Sequence, residues 1–512
     1  MPDVSDKPSH PLPEAEQIAQ LQKKLVWAEL KIQQLEELLR LERIRKYGAG
    51  SEKLNSAQLE LLEGEPGVSG VEIQAESERE PLPSAAPASK KEHRSHPGRQ
   101  QLPAHLPRVE RVIACPAEQC TCPACGQPTA VIGYDQSEQL DVEPARYFVV
   151  VTKREKRACK CCEQGRVAAA PLPARIIDKG LVSDRVVIDT VVAKYSDHVP
   201  LYRQSAILER ETGLELSRAT LDGWVMRVGE LLIPMAGTIG RELVHGSYIQ
   251  ADETPVDVQM HDRRGKNHQA YLWQYGRPGG SVVFDFRLGR GREGPREFLG
   301  RFEGILQTDG YAAYAHVGGP KMVHACCWAH ARRHFFDAVK LNPADPVATA
   351  IVRRMDELFG VDAEARARNL DHAARHALRL QRAKPLLELL KPQIEAARSH
   401  ALPSSALGKA ASYTLALWRK LTRFLEHPEV ELSNNLAENS MRPVALGRKN
   451  WIHVGSPQAG PKVAAILSVV ESCRRLKIST RDYLAGVLPG LAGTSVRRLG
   501  ELTPATWASR HL

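Results

Sequence analysis

Tyr248-Ile-Gln-Ala-Asp252 and Ile305-Leu-Gln-Thr-Asp309 are two short β-like runs, each closed by an aspartate, with the two acids 57 residues apart. Ala270-Tyr-Leu-Trp-Gln-Tyr275, Ser281-Val-Val-Phe-Asp-Phe286 and Met322-Val-His-Ala-Cys326 read the same way, and a helical stretch, Pro295 to Phe302, falls between the third and fourth runs. Three strands, a helix, then two more strands predict an α/β layer around a mixed sheet. A carboxylate at a strand end, where the chain turns away, can aim into a shared cleft. If the two strands are neighbours, Asp252 and Asp309 can hold a divalent ion together. Glu438, in Asn434-Asn-Leu-Ala-Glu438-Asn on a predicted helix Leu432 to Met441, is the candidate third acid. Two hard cations about 3.5–4 Å apart between such carboxylates serve phosphodiester chemistry. Oxygen ligands suit Mg²⁺. Asn434, Asn435, Arg442, Arg448 and Lys449 surround Glu438 in sequence and suit DNA phosphates and the orienting of carboxylates.

The whole chain has 512 residues, 43% hydrophobic and 25% charged, with 70 Lys+Arg against 60 Asp+Glu and a net charge of +10. That balance excludes a wholly disordered chain, a collagen-like one and a membrane bundle, and its length predicts about three to five domains. No apolar run approaches the ~18–20 residues of a membrane span, and no secretory signal is visible, so an intracellular chain with no membrane partner is expected. The basic excess fits a polyanionic partner.

Seven of the ten cysteines lie between Cys115 and Cys162, a clustering that points to metal rather than disulfides. Cys122-Pro-Ala-Cys125-Gly and Cys159-Lys-Cys161-Cys162 form two knuckles bridged by β-rich pieces such as Tyr147 to Thr152. Tetrahedral zinc needs four soft ligands from two rigid turns. The chosen set is Cys122, Cys125, Cys159 and Cys162; Cys161 rivals the last of these, and Cys115 and Cys120 are alternatives. With four protein ligands such a site is structural.

Upstream, Ile18, Leu25, Ile32 and Leu39 repeat every seven residues, with Leu21, Ala28 and Leu35 between them. This seam predicts a parallel two-stranded coiled coil, the rival being a helix docked on its own protein. An acidic, then Pro/Ala/Ser-rich, then basic stretch over 56–107 reads as a linker. Helices Ser183 to Tyr195, Pro200 to Thr212 and Ser217 to Leu232, with Gly213 in the turn, match a helix-turn-helix DNA reader and any helical hairpin equally. Arg218 and Arg227 lie on the third. Residues 340–430 read as a helical insertion, followed by helices Gln458 to Leu476 and Thr480 to Leu488. Cys327, His330 and His334, at i, i+3 and i+7, share one helical face and could bind a metal; the plain reading is a core cysteine with histidines that pack or meet phosphate. Arg332 and Arg333 beside them are assigned to the DNA backbone.

The phrases ADETPV, QTDGYAAY, CCWAHARRHFFDA and NNLAENSMRPVALGRKNW, with CPACG, KYSDHVPLYRQ and SRATLDGWV, resemble the transposases of the insertion sequence 66 family over nearly the whole chain. The resemblance implies a ribonuclease-H-like core with an Asp-Asp-Glu triad, mapped onto Asp252, Asp309 and Glu438, holding two Mg²⁺ (or Mn²⁺) ions. The expected architecture is a multidomain α+β chain. It comprises a coiled-coil dimerisation helix (1–55), the linker (56–107), a zinc ribbon (108–178) and a helix-turn-helix region (179–242). The ribonuclease-H-like α/β catalytic core (243–450) carries the insertion, and a small helical C-terminal region (451–512) follows. Expected function is binding of the element's ends in double-stranded DNA, strand cleavage, and transfer of the 3′-OH to target DNA. A homodimer or higher oligomer, small accessory proteins of the same element, and a bacterial cytoplasmic, nucleoid-associated location are implied. Rival readings are a transposase-derived DNA-binding protein without catalysis, and a nuclease that cuts without joining.

Overall fold

The computed structural model describes residues 14–47, 108–110, 112–113, 120, 127–128, 134, 139, 146–157, 168–260, 265–451 and 453–511. Contacts divide the chain into two units, 84–155 and the remainder. In the smaller unit the apolar run 147–152 is not a strand: Val149 is 89% exposed and no partner ladder exists for it among the described residues. β character without a hydrogen-bonding neighbour does not make a sheet. Nearby, among the described residues, the pairing is a two-residue ladder of Lys156–Arg157 with Ala168–Ala169, in the larger unit. Cys122, Cys125, Cys159 and Cys162, with rivals Cys161 and Cys115, lie outside the described residues, and Cys120 is exposed.

The larger unit begins with helix α1 (Glu14–Tyr47). Ile18, Leu21, Leu25, Ile32, Leu35 and Leu39 all remain at least half exposed. The helix touches its own chain through another face. Gln34 Nε2 donates to Ser404 Oγ at 2.7 Å, Arg40 to the Leu341 carbonyl at 2.6 Å, and the buried Glu37 carboxylate accepts from Ala406 N at 3.3 Å. Docking and an open apolar seam therefore coexist on one helix.

Helices α2 (Asp184–Tyr195), α3 (Leu201–Thr212) and α4 (Arg218–Val244) follow. Gly213 ends α3 at φ 70°, a left-handed cap that costs glycine nothing. The Ser217 hydroxyl accepts Thr220 N at 3.1 Å to start α4. α4 runs twelve residues beyond the predicted Leu232, because Met235, Ile239 and Leu243 keep its apolar stripe buried through Pro234.

Five strands form the central sheet: β1 (Tyr248–Val258), β2 (His268–Gly276), β3 (Val282–Arg287), β4 (Ile305–Thr308) and β5 (Val323–Cys326). Their order is β3-β2-β1-β4-β5, with β1, β2 and β3 antiparallel and β4 and β5 parallel to β1. Helix α5 (Glu293–Leu299) links β3 to β4. After β5 comes α6 (Trp328–Leu341), then a helical lobe over 346–425 built from α7 (Pro346–Ala367), α8 (His372–Leu378), α9 (Lys384–His400), α10 (Ala406–Ala416) and short turns. The chain returns to the sheet through 430–434 and continues as α11 (Asn435–Trp451), α12 (Ala459–Arg475), α13 (Thr480–Leu491) and α14 (Pro504–His511).

β3 is an edge strand, and α12 closes it. Ser472 Oγ accepts Val282 N and donates to Val282 O, both at 3.0 Å, while Ser468 Oγ accepts Phe284 N at 2.8 Å. Two helix serines thus satisfy backbone groups that a missing sixth strand would leave bare. Gly229 of α4 lets α12 approach closely, since a Cβ there would stand 2.7 Å from Lys462 Cβ.

Candidate active site

The register of the sheet decides where the two aspartates stand. β1 and β4 pair Tyr248 with Ile305, Ile249 with Leu306 and Gln250 with Gln307. The same offset of 57 separates Asp252 from Asp309, which lies one residue beyond β4. Asp252 does not close its strand as the sequence suggested. β1 runs on to Val258 because β2 keeps pairing with it as far as Val258 opposite His268. The β1–β4 ladder, by contrast, stops at Gln250 and Gln307, two residues before each of the acids.

A buried polar ladder beneath this row binds the distant segment 431–434. Gln250 Nε2 donates to Gln307 Oε1 at 3.0 Å and to the Ser433 carbonyl at 3.3 Å, and Gln307 Nε2 donates to the Glu431 carbonyl at 2.6 Å. Tyr248 donates to Gln307 and accepts Glu431 N. Asn434, fully buried, donates its side-chain amide to Ala251 O at 2.9 Å and its backbone N–H to Cys327 Sγ at 3.1 Å. Trp328 N donates to Leu432 O at 2.8 Å. Glu438 follows in the first turn of α11. These bonds carry the third acid to the strand ends from more than a hundred residues away.

The lobe joins the same place. Arg379, in a π-helical turn after α8, is fully buried. It forks the Asp362 carboxylate at 2.8 and 2.6 Å and caps the carbonyls of Phe424, Pro428 and Val430. Arg366 and Arg375 hold Glu431 at 2.7 and 2.9 Å. Burial opposes the Glu431 charge, but the two guanidinium groups outweigh it and pull its carboxyl down to about 2. Tyr413 of α10 donates to the Asp309 carbonyl.

The electrostatics of the cleft are those of crowded acids. Burial raises Asp252 to about 8, with the charges of Glu438 and Glu253 adding to it. Glu253 is also pushed up by burial, against the pull of Arg290 and Tyr314 OH, which bond it at 2.7 and 2.8 Å. His330 lies 3.6 Å from Glu438. Burial disfavours its charged form, yet Cys327, Glu438 and Asp309 outweigh burial and lift it to about 10. Burial and the neighbouring acids outweigh the pull of His330 on Asp252, and carboxylate oxygens of this kind suit a hard divalent cation. The tightest group among the described residues is a different one. Cys327, His330 and Glu438 have ligand atoms all within 4.8 Å of one another. Helical spacing in the sequence placed His334 beside Cys327 and His330. His334 instead sits exposed with its ring 4.4 Å from Tyr413, and Glu438 takes the third position. Nothing local in the sequence signals that Glu438 meets the CWAH turn, nor that Glu253 belongs to the cleft.

The expected DNA-contacting residues divide. Arg218, Arg333 and Lys449 are exposed. Arg227 is half-buried and meets Glu230 at 3.4 Å, and Arg442 is half-buried beside a cavity lined by Tyr195, Phe284 and Leu467. Arg448 donates to Thr254 Oγ1 at 3.2 Å and to Pro255 O at 2.5 Å, tying α11 to β1. Arg332 is a correction: it is 2% exposed and forks Asp356 of α7 at 2.5 and 3.4 Å. Helical periodicity turns it inward while its neighbour Arg333 faces solvent.

Comparison with known proteins accords with this arrangement. Residues 179–462 match the family model described as Transposase IS66 family, 119–163 the zinc-finger binding domain of transposase IS66, and 34–111 Transposase C of IS166 homeodomain. Relatives in Sinorhizobium fredii (strain NBRC 101917 / NGR234) include the uncharacterized proteins y4qI and y4jD. The first is 32% identical over 93% of this chain and 89% of its own, the second 33% identical over 79% and 81%. Since the first match spans more than half of the 512 residues, from the helical region before the sheet to the helix that closes its edge, the chain belongs to the IS66 transposase family.

Proposed function

We propose that the protein cleaves DNA at the ends of its own element and joins the freed 3′-OH to target DNA, with Asp252, Asp309 and Glu438 as the metal-holding acids of a ribonuclease-H-like core. The observation that carries this reading is the β1–β4 register, whose offset of 57 also separates Asp252 from Asp309 just beyond the end of the ladder, with the segment leading into the Glu438 helix bonded to both strands. Two bound Mg²⁺ or Mn²⁺ ions would activate the attacking oxygen and stabilise the leaving 3′ oxygen. The chain's own part is to place carboxylate oxygens on rigid elements, so that one geometry serves hydrolysis first and strand transfer second. The matched zinc-finger domain supports a structural zinc, for which Cys122, Cys125, Cys159 and Cys162 are the proposed ligands. That ribbon and helices α2–α4 are the proposed readers of the element's ends, with Arg218, Arg333 and Lys449 as exposed phosphate contacts.

The open seam of α1 supports self-association as a parallel coiled coil, since six large apolar side chains remain exposed in a single copy. Small accessory proteins of the same element complete the proposed machinery. No helix among the described residues is long and apolar enough to cross a membrane, which fits a reaction on nucleoid DNA in the bacterial cytoplasm.

The test is Mg²⁺-dependent cleavage and joining on DNA carrying the element's ends, with Glu438→Gln as control. Joined products from the wild type alone support the reading. Cleavage without joining would identify a nuclease, and tight binding with neither reaction a DNA-binding protein without catalysis.

A further inference from the structure

The three-residue group at the start of α6 has a donor chemistry unlike that of the acids beside it. Cys327 is the N-cap residue of α6 and fully buried, His330 lies one turn on, and Glu438 arrives from the first turn of α11. Their sulfur, nitrogen and oxygen atoms lie within 4.8 Å of one another, close enough for one ion to meet all three with small side-chain rotations. Two further observations bear on a ligand. The backbone N–H of Asn434 donates to Cys327 Sγ at 3.1 Å, the outer support that a metal-bound thiolate receives. His330 Nδ1 is buried without a hydrogen-bond partner, as is Asn434 Oδ1; buried polar atoms in that state call for an explanation such as an ion or water. Mg²⁺ takes oxygen ligands and keeps its waters, so a thiol and an imidazole offer it little. Zinc-class ions take Cys, His and carboxylate together, and three protein ligands leave a fourth position open.

The geometry points to a separate transition-metal site, in which a Zn²⁺-class ion is held by the Cys327 thiolate, a His330 ring nitrogen and a Glu438 carboxylate oxygen. Binding releases to solvent the protons held on the Cys327 thiol and the His330 imidazolium, because a thiolate and a neutral ring nitrogen are the ligands. Glu438 is shared with the proposed Mg²⁺ site. A thiophilic ion there draws that carboxylate away from Asp252 and Asp309 and restrains the phosphodiester chemistry. Only this consequence rests on the proposed function; the binding itself does not.

The test needs no DNA. Co²⁺ is titrated into the full-length, zinc-loaded chain while thiolate-to-cobalt charge transfer and visible ligand-field absorption are followed, in the wild type and in Cys327→Ser. The ribbon cysteines are identical in both proteins, so their contribution cancels in the difference spectrum. A saturable band in the wild type that is lost in Cys327→Ser is the expected result. Superimposable spectra, or no saturable band, overturn the proposal. Because Cys327 is buried, Glu438→Gln provides a second arm: it is expected to weaken cobalt binding by more than about tenfold, at least what loss of a supporting residue costs a metal site. Unchanged affinity in that variant overturns the three-ligand site. A chain that binds cobalt as expected but never cleaves DNA would sink the transposition reading and leave this site standing.

Discussion

Arg379→Met tests whether the helical lobe holds the third acid in place. In the wild type the guanidinium is fully buried and makes two bonds to Asp362, at 2.8 and 2.6 Å, and three to the carbonyls of Phe424, Pro428 and Val430, at 3.0, 3.3 and 2.8 Å. Methionine keeps much of the volume and removes every one of these bonds. Asp362 retains Arg375 at 2.9 Å, so its charge is not wholly abandoned. Removing one partner of a buried pair costs about 3–5 kcal/mol, and the stranded carbonyls push toward the upper half of that range. A loss of about 4 kcal/mol is close to a thousandfold in the folding equilibrium. At the ~2 °C per kcal/mol expected of a large unit, the melting temperature falls by about 8 °C. The assay is thermal unfolding by circular dichroism, with hydrogen exchange on the 424–434 segment, where amides are expected to open first. The double variant Arg379→Met with Asp362→Asn is expected to recover at least about 1 kcal/mol relative to additivity, because it removes the uncompensated charge. A melting temperature lowered by less than about 2 °C, with unchanged exchange at 424–434, would refute the claim that this pair braces the approach to Glu438.

Other outcomes are equally specific. Ser472→Ala strands the Val282 N–H and carbonyl at the sheet edge and is expected to cost about 1–3 kcal/mol, read from denaturant unfolding. Glu431, drawn from its ordinary 4.5 to about 2, contributes stability that is complete above about pH 4.5 and drains away as pH falls toward 2. Folded chains bind fewer protons there than unfolded ones, so stability rises with pH across that window, by about 3 kcal/mol. Glu431→Gln is expected to be less stable at neutral pH, with a flatter acid limb in pH-dependent melting. Asp309→Asn is expected to abolish strand cleavage while DNA binding by mobility shift survives; equal loss of both would end the division between reader and catalyst. Cys122→Ser is expected to lower zinc content by elemental analysis and loosen the ribbon, since structural zinc in small domains contributes ~10–16 kcal/mol of apparent binding free energy. Retained stoichiometric zinc would require another ligand set.

Much of the local architecture is legible in the amino-acid sequence. The β runs that carry Asp252 and lead to Asp309, the Ser217 cap, the Gly213 stop and the helical insertion all follow from local rules, because a few consecutive residues set backbone preference and periodicity. Even the 57-residue interval between the aspartates proves to be the register of β1 on β4. Other features needed partners that sequence distance conceals. Val149 and its neighbours have strand composition and, among the described residues, no strand beside them. Arg332 looks like Arg333 in the sequence, yet one forks Asp356 in the interior and the other faces water. Glu438 is named in the sequence as the third acid, but what brings its segment to the strand ends, through Gln307, Asn434 and Cys327, is not written there. Hydrogen bonds within an element repeat at short spacing and leave a periodic trace. The side-chain bonds that assemble this cleft link positions 37 to 194 residues apart, and only folding in three dimensions decided which of them meet.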